Sequence, residues 1–530
     1  MRRTLAISLV LALSLSLDLN AFEEVSSRMI SLGTGLTGIV EDPFTDILRN
    51  PAYLAHANHR FIPITIGRDS RSSPVIRSGL FANPTPFLEH TMAGGLIDFE
   101  SWTYRSSPTV EDFLPVDHFS IPGYSIRADQ DHPPTDLIGR GRSFTSKMPT
   151  YYYGQETSQA IRGQFFYSIP IGRDCSFGIN YLHGRDGIGI ESVRYQEEFD
   201  SDDRGTYDWT SYYRDSYRSD GDERLNSLRM GIRENFGKKC SLDFSLTASR
   251  TRGWSRTEDL DYREYGYVYQ DSTLDLERYT RQSFTQRSPL EREAIEADLY
   301  LHRDGERGKT ALRISFFSGD AGEDLSITTT STENDSVEDH SETRLRNRAG
   351  WSGGLAGIGG SRELRRRPIT LYWGAFYGFT RAWEIDRETT DGSLPNPAYP
   401  VDESPYRDYP TSEVLASASL LTVRETDNWD NHLWQFNLAT EYEITRQITA
   451  RLGGRATAVL TRDRLERETL AEYDSESSPS STEDQIDHLI ADAGLTGGVG
   501  LDLTRRIHFD IFTPDLSSLS SWIFEGFVRF

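Results

Sequence analysis

Three glycines in "SLGTGLTGIVEDPFTDILRNPAYLA" (residues 31–55), Gly33, Gly35 and Gly38, stand at the GxGxxG spacing of a dinucleotide loop. Such a loop brings backbone N–H groups to a pyrophosphate, and it needs a buried strand before it and a helix after it. The residues in front, "AFEEVSSRMI", are no such strand, and no strand–helix alternation follows. The nucleotide reading fails. A second candidate is "DSDDRG" (200–205), where Asp200, Asp202 and Gly205 match the first, third and sixth positions of a calcium loop. Arg204 occupies a position within it and Ser211 stands where a bidentate glutamate is needed, so the stretch reads as a solvated acidic loop, at most a loose divalent site. Neither GxSxG nor HExxH occurs. No catalytic residue, metal site or cofactor is expected, and the chain reads as a non-enzyme.

What remains is a question of architecture. The 530 residues carry a formal charge of −24, which argues against a nucleic-acid partner held through its phosphates. A mean hydropathy of −0.55 excludes a helical membrane protein. Residues 1–21 read as a signal peptide: Arg2 and Arg3, an apolar run from Leu5 to Leu17, then a small residue at Ala21 for cleavage. That run is shorter than the ~20 residues a spanning helix takes. No cysteine stands near the cleavage point, which argues against a lipoprotein.

Beyond residue 155 the chain alternates with period two. In "KCSLDFSLTASRT" (239–251), Cys240, Leu242, Phe244, Leu246 and Ala248 oppose Ser241, Asp243, Ser245, Thr247 and Ser249. Both a soluble sandwich and a membrane barrel show this pattern. The connectors separate them. Short turns at 172–174, 236–239, 304–308, 445–447 and 504–506 alternate with polar excursions at 185–223, 252–290, 320–345, 384–410 and 461–486. Short turns on one side and long loops on the other are expected of an outer-membrane barrel. Thirteen strands follow: 161–171, 174–184, 224–236, 239–251, 292–303, 309–319, 347–359, 368–383, 431–444, 447–460, 488–503, 507–513 and 520–530. "RFIPITIGR" (60–68) makes fourteen, despite Pro63, and a pair including "TMAGGLIDFESW" would make sixteen. Parity then forbids "SEVLASASLLTV" (412–423) from being a separate crossing.

The expected fold is an all-β antiparallel transmembrane barrel of about 14 strands (12–16). On alternation Arg229, Arg233, Asp243, Glu296, Asp298, Arg313, Glu441, Arg451 and Arg455 face the lumen. There mixed charges would pair across the interior or line a polar conduit. The Tyr-rich stretches 207–217 and 261–270 read as external loops or an upper aromatic girdle. Cys175 and Cys240 lie on strands two apart, ~10 Å across the ladder, beyond the ~7 Å a disulfide spans. Two free thiols are expected.

Two ends of the chain carry a resemblance. "SSWIFEGFVRF", with Trp522, Phe524, Val528 and Phe530 in phase on one face, resembles the C-terminal signature that outer-membrane barrels present to their assembly machinery. The glycine-rich run, Asp42, Asp46 and then Asn50-Pro51-Ala52 resemble the N-terminus of the FadL-like outer-membrane transport proteins, a start shared by the PorV-type secretion barrels. In those proteins an aromatic precedes NPA and a glycine often follows; here Arg49 and Tyr53 take those places. The resemblance implies residues 22–59 as a luminal plug within a barrel of residues 60–530. Its glycines allow a side-chain-free path through a crowded lumen. Asn50-Pro51 either seats the plug or merely shapes the junction into the first strand. It also implies passive passage of small hydrophobic or amphipathic solutes, or, on the PorV pattern, a protein partner gripped by external loops. Outer-membrane lipid and lipopolysaccharide, in a diderm bacterium, are the expected surroundings.

Overall fold

In a strand successive side chains face opposite ways, so period-two alternation becomes two chemically distinct walls only if the sheet separates two media. The computed structural model describes residues 26–529 except 33–35, 57–60, 69–73, 83–90, 106–108, 112–118, 122–123, 127–143, 148–149, 202–206, 238, 270–273, 334–335, 365–367, 394–419, 474–475, 505, 514–515 and 517–521. The signal segment, Gly33, Gly35, Asp202–Gly205 of the acidic loop and Phe530 thus lie outside the described residues. The strands are β1 (Phe61–Arg68), β2 (Pro74–Ala82) and β3 (Met92–Arg105), with short pieces β4 (Thr109–Glu111), β5 (Phe119–Ile121), β6 (Tyr124–Ile126) and β7 (Phe144–Lys147). Next come β8 (Thr150–Ile171), β9 (Cys175–Ser201), β10 (Tyr207–Phe236), β11 (Cys240–Tyr269), β12 (Leu274–Asp304) and β13 (Lys309–Glu333). The remainder are β14 (Ser336–Glu363), β15 (Ile369–Ser393), β16 (Leu420–Glu443), β17 (Ile448–Tyr473), β18 (Glu476–Thr504), β19 (Ile507–Thr513) and β20 (Trp522–Arg529).

β1 to β3 and β8 to β20 each pair antiparallel with the next, and β20 returns to β1 from Phe61↔Arg529 to Arg68↔Trp522. Sixteen strands therefore close a ring. The count of fourteen is corrected to sixteen, because β2 and β3 both cross; β3 is the "MAGGLIDFESW" stretch. Pro63 is accommodated: the β1–β2 ladder skips from Phe61 to Ile64, and Pro63 pairs only toward β20. In 412–423, only Leu420–Val423 are described, and they are the far end of β16 rather than a crossing of their own.

A larger correction concerns the polar excursions. β9 to β18 run 24 to 31 residues, so most of the stretches read as loops are strand. The Tyr-rich segments pair with each other, from Tyr207↔Tyr269 onward. A crossing strand takes only about 9–11 residues, so these walls continue well past a bilayer. There the outer face turns polar and the alternation signal vanishes, while backbone pairing continues. Cross-strand ion pairs accompany it, such as Arg467–Glu425 at 3.1 Å and Arg346–Asp324 at 3.3 Å.

Nearer the short turns the outer face is apolar. On adjoining strands Leu228, Met230 and Ile232 (β10), Phe244 (β11), Ile295 and Leu301 (β12) and Leu312 and Phe316 (β13) are all exposed. Every strand of the ring contributes, as with Ile66, Leu80, Ile97, Phe165, Phe436, Leu452, Leu495 and Phe509. Leaving one such side chain in water forgoes roughly 1.5–3 kcal/mol. One on each strand already amounts to some tens of kcal/mol, more than the ~5–15 kcal/mol net stability of a domain. The belt is a lipid-facing surface. Cys175 and Cys240 are free thiols.

Inside, two helices and a 3-10 turn fill the end of the lumen nearest the short turns: α1 (Ser27–Leu32), α2 (Pro43–Arg49) and Pro51–His56. They build two apolar clusters. Met29, Ile30, Leu32, Leu36 and Ile39 pack with Tyr372, Phe376 and Phe512; Phe44, Ile47, Leu48 and Leu54 pack with Phe81, Leu96 and Phe166.

Candidate functional site

α2 begins where its sequence says it should. Asp42 is an extended N-cap whose Oδ1 accepts from Thr45 N–H at 2.9 Å, and Pro43 takes the first helical turn, where no donor is needed. Asp46 reaches back to accept from Asp42 N–H at 3.1 Å, closing the cap reciprocally. Asn50 ends the helix in extended geometry, the conformation a residue before proline prefers. Its Oδ1 accepts from Ala52 N–H at 3.0 Å, while its Nδ2 donates to Ile232 O of the wall at 3.1 Å.

The wall is shaped to receive this corner. A Cβ on Gly231 would stand 1.9 Å from Asn50 Oδ1, and one on Gly178 2.3 Å from the Pro51 carbonyl carbon. Ser168 and Ser176 both donate to Ala52 O, at 3.4 and 3.1 Å, and Arg229 donates to Leu48 O. Asn50-Pro51-Ala52 is thus a docking corner set against bare backbone. Gly38 has φ +78°, a left-handed conformation that glycine supplies cheaply, and its open side faces Tyr300 and Arg49.

Beside this corner lies a buried ionic cluster. Asp243, 1% exposed, accepts from Tyr53 OH and sits 2.8 Å from His302 Nε2, 3.8 Å from Arg233 and 3.9 Å from Arg49. The Arg49 guanidinium lies 3.8 Å from the Tyr300 ring centre, and Arg233 4.1 Å from that of Tyr53. Arg49 therefore carries a cationic face where the resemblance would place an aromatic, and Tyr300, the cross-strand neighbour of Asp243, supplies the ring from the wall. Asp298 pairs with Arg313 at 3.3 Å and accepts from Ser315. Burial pushes the Asp46 carboxyl up to about 7, against the pull of Arg49 and with Asp42 and Asp243 adding to the rise.

The other end of the plug uses a different device. Arg28 forks onto Glu441, with Nε at 2.8 Å and Nη2 at 2.7 Å, and its Nη1 donates to Glu41 O at 2.7 Å. Glu441 also accepts from Tyr372 and from Arg451 Nε at 2.9 Å. Arg451 continues to Asp510, whose Oδ2 lies 3.0 Å from His508 Nε2; His508 Nδ1 is 2.8 Å from Asp502. The chain of charges runs from the plug to the rim of short turns.

Of the residues singled out in the sequence, Arg229, Arg233, Asp243, Asp298 and Arg313 meet around α2, and Glu441 and Arg451 meet at α1. Arg455 stands apart, 3.9 Å from Asp492, and Glu296 shares the inward face of β12 with Asp298. In β20, Phe524 is exposed on the belt, Glu525 is buried inward, and Trp522 opens the strand. Sequence reasoning missed Arg28, Tyr372 and Asp510; the alternation put Tyr300 and His302 on one face with Asp298, and Glu525 opposite Phe524, without singling them out as site residues. Asp510 and Glu525 carried a signal, since each stands between apolar neighbours in phase with the inward set.

No family model matches the chain, and no curated protein does. Among the solved structures similar to it, at low identity, are transporters and outer-membrane receptors. The Pseudomonas putida toluene transporter TodX is 10% identical over 92% of this chain and 94% of that one, with a TM-score of 0.30. The Ralstonia pickettii toluene transporter TbuX is 12% identical over 96% and 99%, with a TM-score of 0.32. A Pseudomonas aeruginosa FadL homologue is 9% identical over 96% and 98%, with a TM-score of 0.28. Structures of the FadL type are thus among those the chain resembles.

Proposed function

We propose that this chain is an outer-membrane transport barrel of FadL-like type, which passively admits small hydrophobic or amphipathic solutes past an N-terminal plug. The observation that carries the reading is the placement of residues 26–32 and 36–56. They lie against the inward faces of strands whose outward faces are apolar, through Asn50, Arg49 and Arg28. A ring of sixteen strands is too wide for its own side chains to fill, so without this segment the lumen would stand open. Devoting a separate helical segment to one end fits a passage that is closed and opened. No nucleotide or metal is invoked, and the solute moves down its own gradient. Trp522, Phe524, Val528 and Phe530 serve, on this reading, as the signal to the barrel assembly machinery.

Liposome swelling by purified protein, with and without residues 22–59, tests the proposal. The expected result is slow swelling for the full chain and a large increase on deletion, with the barrel still folded. Negligible permeability in both would remove transport and leave the fold untouched. A second reading, a PorV-like scaffold that grips a protein partner, is favoured by the length of β9 to β18 beyond the apolar belt. It would leave permeability unchanged on deletion while cutting β9–β18 back abolished partner capture.

A further inference from the structure

The outer wall changes character abruptly on β9 to β13. One rung of the ladder reads Tyr181, Leu228, Ala248, Ile295 and Ser318, directly opposite one another in sequence across five strands. The next rung on the same face, two residues farther from the short turns, reads Asn226, Arg250, Glu293 and Asp320. The following one places Arg185, Arg224 and Arg252 side by side. Between the first two rungs lies a groove of about 460 Å³, hollowed where Ala248 and Ser318 stand among larger neighbours. The apolar belt ends at this level, so the groove opens at the boundary between hydrocarbon and headgroups. It sits on the side away from the short turns, which in a barrel of this kind is the outer leaflet.

Three arginines on one rung repel each other, and like charges directly opposite are unfavourable in a sheet. Asp222 and Glu291 pair with them, and on the rung nearer the groove Arg250 pairs with Glu293 while Asp320 stands beside it. Arg185 and Arg224 share Asp222, through Nε at 2.5 and 3.8 Å, and Arg252 Nε meets Glu291 at 3.0 Å. Their side chains remain 66%, 64% and 57% exposed. The terminal N–H groups of each fork stay available to an anion with several oxygens.

We propose that this face binds the phosphorylated sugar headgroup of an outer-leaflet glycolipid, a lipopolysaccharide. The phosphate sits on the Arg185–Arg224–Arg252 rung and an acyl chain lies in the groove over Ala248. Continuity with the lipid belt supplies the acyl chain, and the arginine rung supplies the charge complement. The inference rests on the membrane reading of the belt and not on transport.

The test uses the full chain, delipidated in detergent, mixed with bis-phosphorylated lipid A and read by native mass spectrometry. One retained lipid A per folded barrel is expected. Retention should fall at least tenfold in the triple variant R185Q/R224Q/R252Q. It should fall similarly in A248F, which keeps every arginine and fills the groove with a lipid-compatible ring. R381Q, an exposed arginine paired with Asp430 and four strands from β11, on β15, should retain it as the parent does. Dephosphorylated lipid A and phosphatidylglycerol should be retained at least tenfold less. Equal retention across the variants, equal retention of phosphatidylglycerol, or none by the parent would overturn the site. Failure of the parent barrel to insert into liposomes would instead remove the membrane reading.

Discussion

The plug is held at two ends, and the ends are built differently. Around α2 and Asn50-Pro51-Ala52 the wall offers bare backbone at Gly178 and Gly231, carbonyls that accept from Asn50, and hydroxyls that donate to Ala52. Its charges sit on Asp243, with almost no exposure. Around α1 the polar hold is the Arg28 fork onto Glu441, with the Arg28 side chain 25% exposed, joined by Thr496 donating to Ser31 O at 3.0 Å and Lys309 pairing with Glu41. Shape and buried charge fix the first end; part-exposed polar contacts fix the second. The difference teaches where movement would start. An exposed pair contributes about 0–1 kcal/mol, whereas removing one partner of a buried one costs about 3–5 kcal/mol. Opening should therefore begin at α1 and pivot on Asn50-Pro51.

The strongest challenge to that contrast is Asp243→Ala. It takes the wall's carboxylate from Arg233, the Tyr53 hydroxyl and Arg49, leaving Arg49 only Asp46 on its own helix, and should weaken docking of the α2 end by about 3 kcal/mol or more. Limited proteolysis after Arg49 should accelerate a hundredfold or more; unchanged cleavage would mean that Asp243 is not a pin. Next comes Gly231→Ala, whose methyl group must displace Asn50. Overpacking of this kind costs about 1–3 kcal/mol. A pairing of G231A with Asn50→Ala should recover part of the loss, since the truncated corner leaves room. No recovery would show that the glycine seats the strand rather than the plug.

How far this was legible in the sequence depends on the medium each stretch meets. Near the belt, Leu242 and Phe244 against Asp243 declare two faces, because lipid and lumen demand opposite side chains. Seventeen residues past Phe244 on the same strand begins "DYREYGYVY", whose sequence shows no apolar–polar alternation, and strand looks like loop. Pairing there comes from backbone bonds that no composition announces. The plug corner was visible as NPA, but its receptors, Gly178 and Gly231, are single glycines in strands and carry no signal until the register is known. Arg28 and Glu441 are 413 residues apart in sequence, and only ring closure brings them together.

A smaller effect follows from pH. The Asp46 carboxyl is held near 7 when buried, above the range of an unfolded or undocked chain. A raised acid binds a proton in the docked state that it has released in the free one. Docking of the α2 end is thus strongest at low pH and weakens as pH rises through about 4 to 7, levelling off above. Between pH 6 and 8 the change is on the order of 1 kcal/mol. Asp46→Asn should flatten the profile, read as proteolysis rate against pH; a profile that stays steep assigns the titration to another group.

The smallest expected effect is also the one that separates the two ends most cleanly. Arg28→Gln removes the fork onto Glu441 but leaves Met29, Ile30 and Leu32 in their apolar cluster. Because Arg28 is a quarter exposed and Arg451 still neutralises Glu441, its loss should cost about 1 kcal/mol, less than a fully buried pair. Amide exchange across residues 26–32 should speed up to about fivefold, the fold-change that 1 kcal/mol produces. Exchange across 44–56 should stay as it was, since its partners are Ile232, Ser168 and Ser176 rather than Glu441. If both segments lose protection together, the plug moves as one body, and a pivot at Asn50-Pro51 is ruled out.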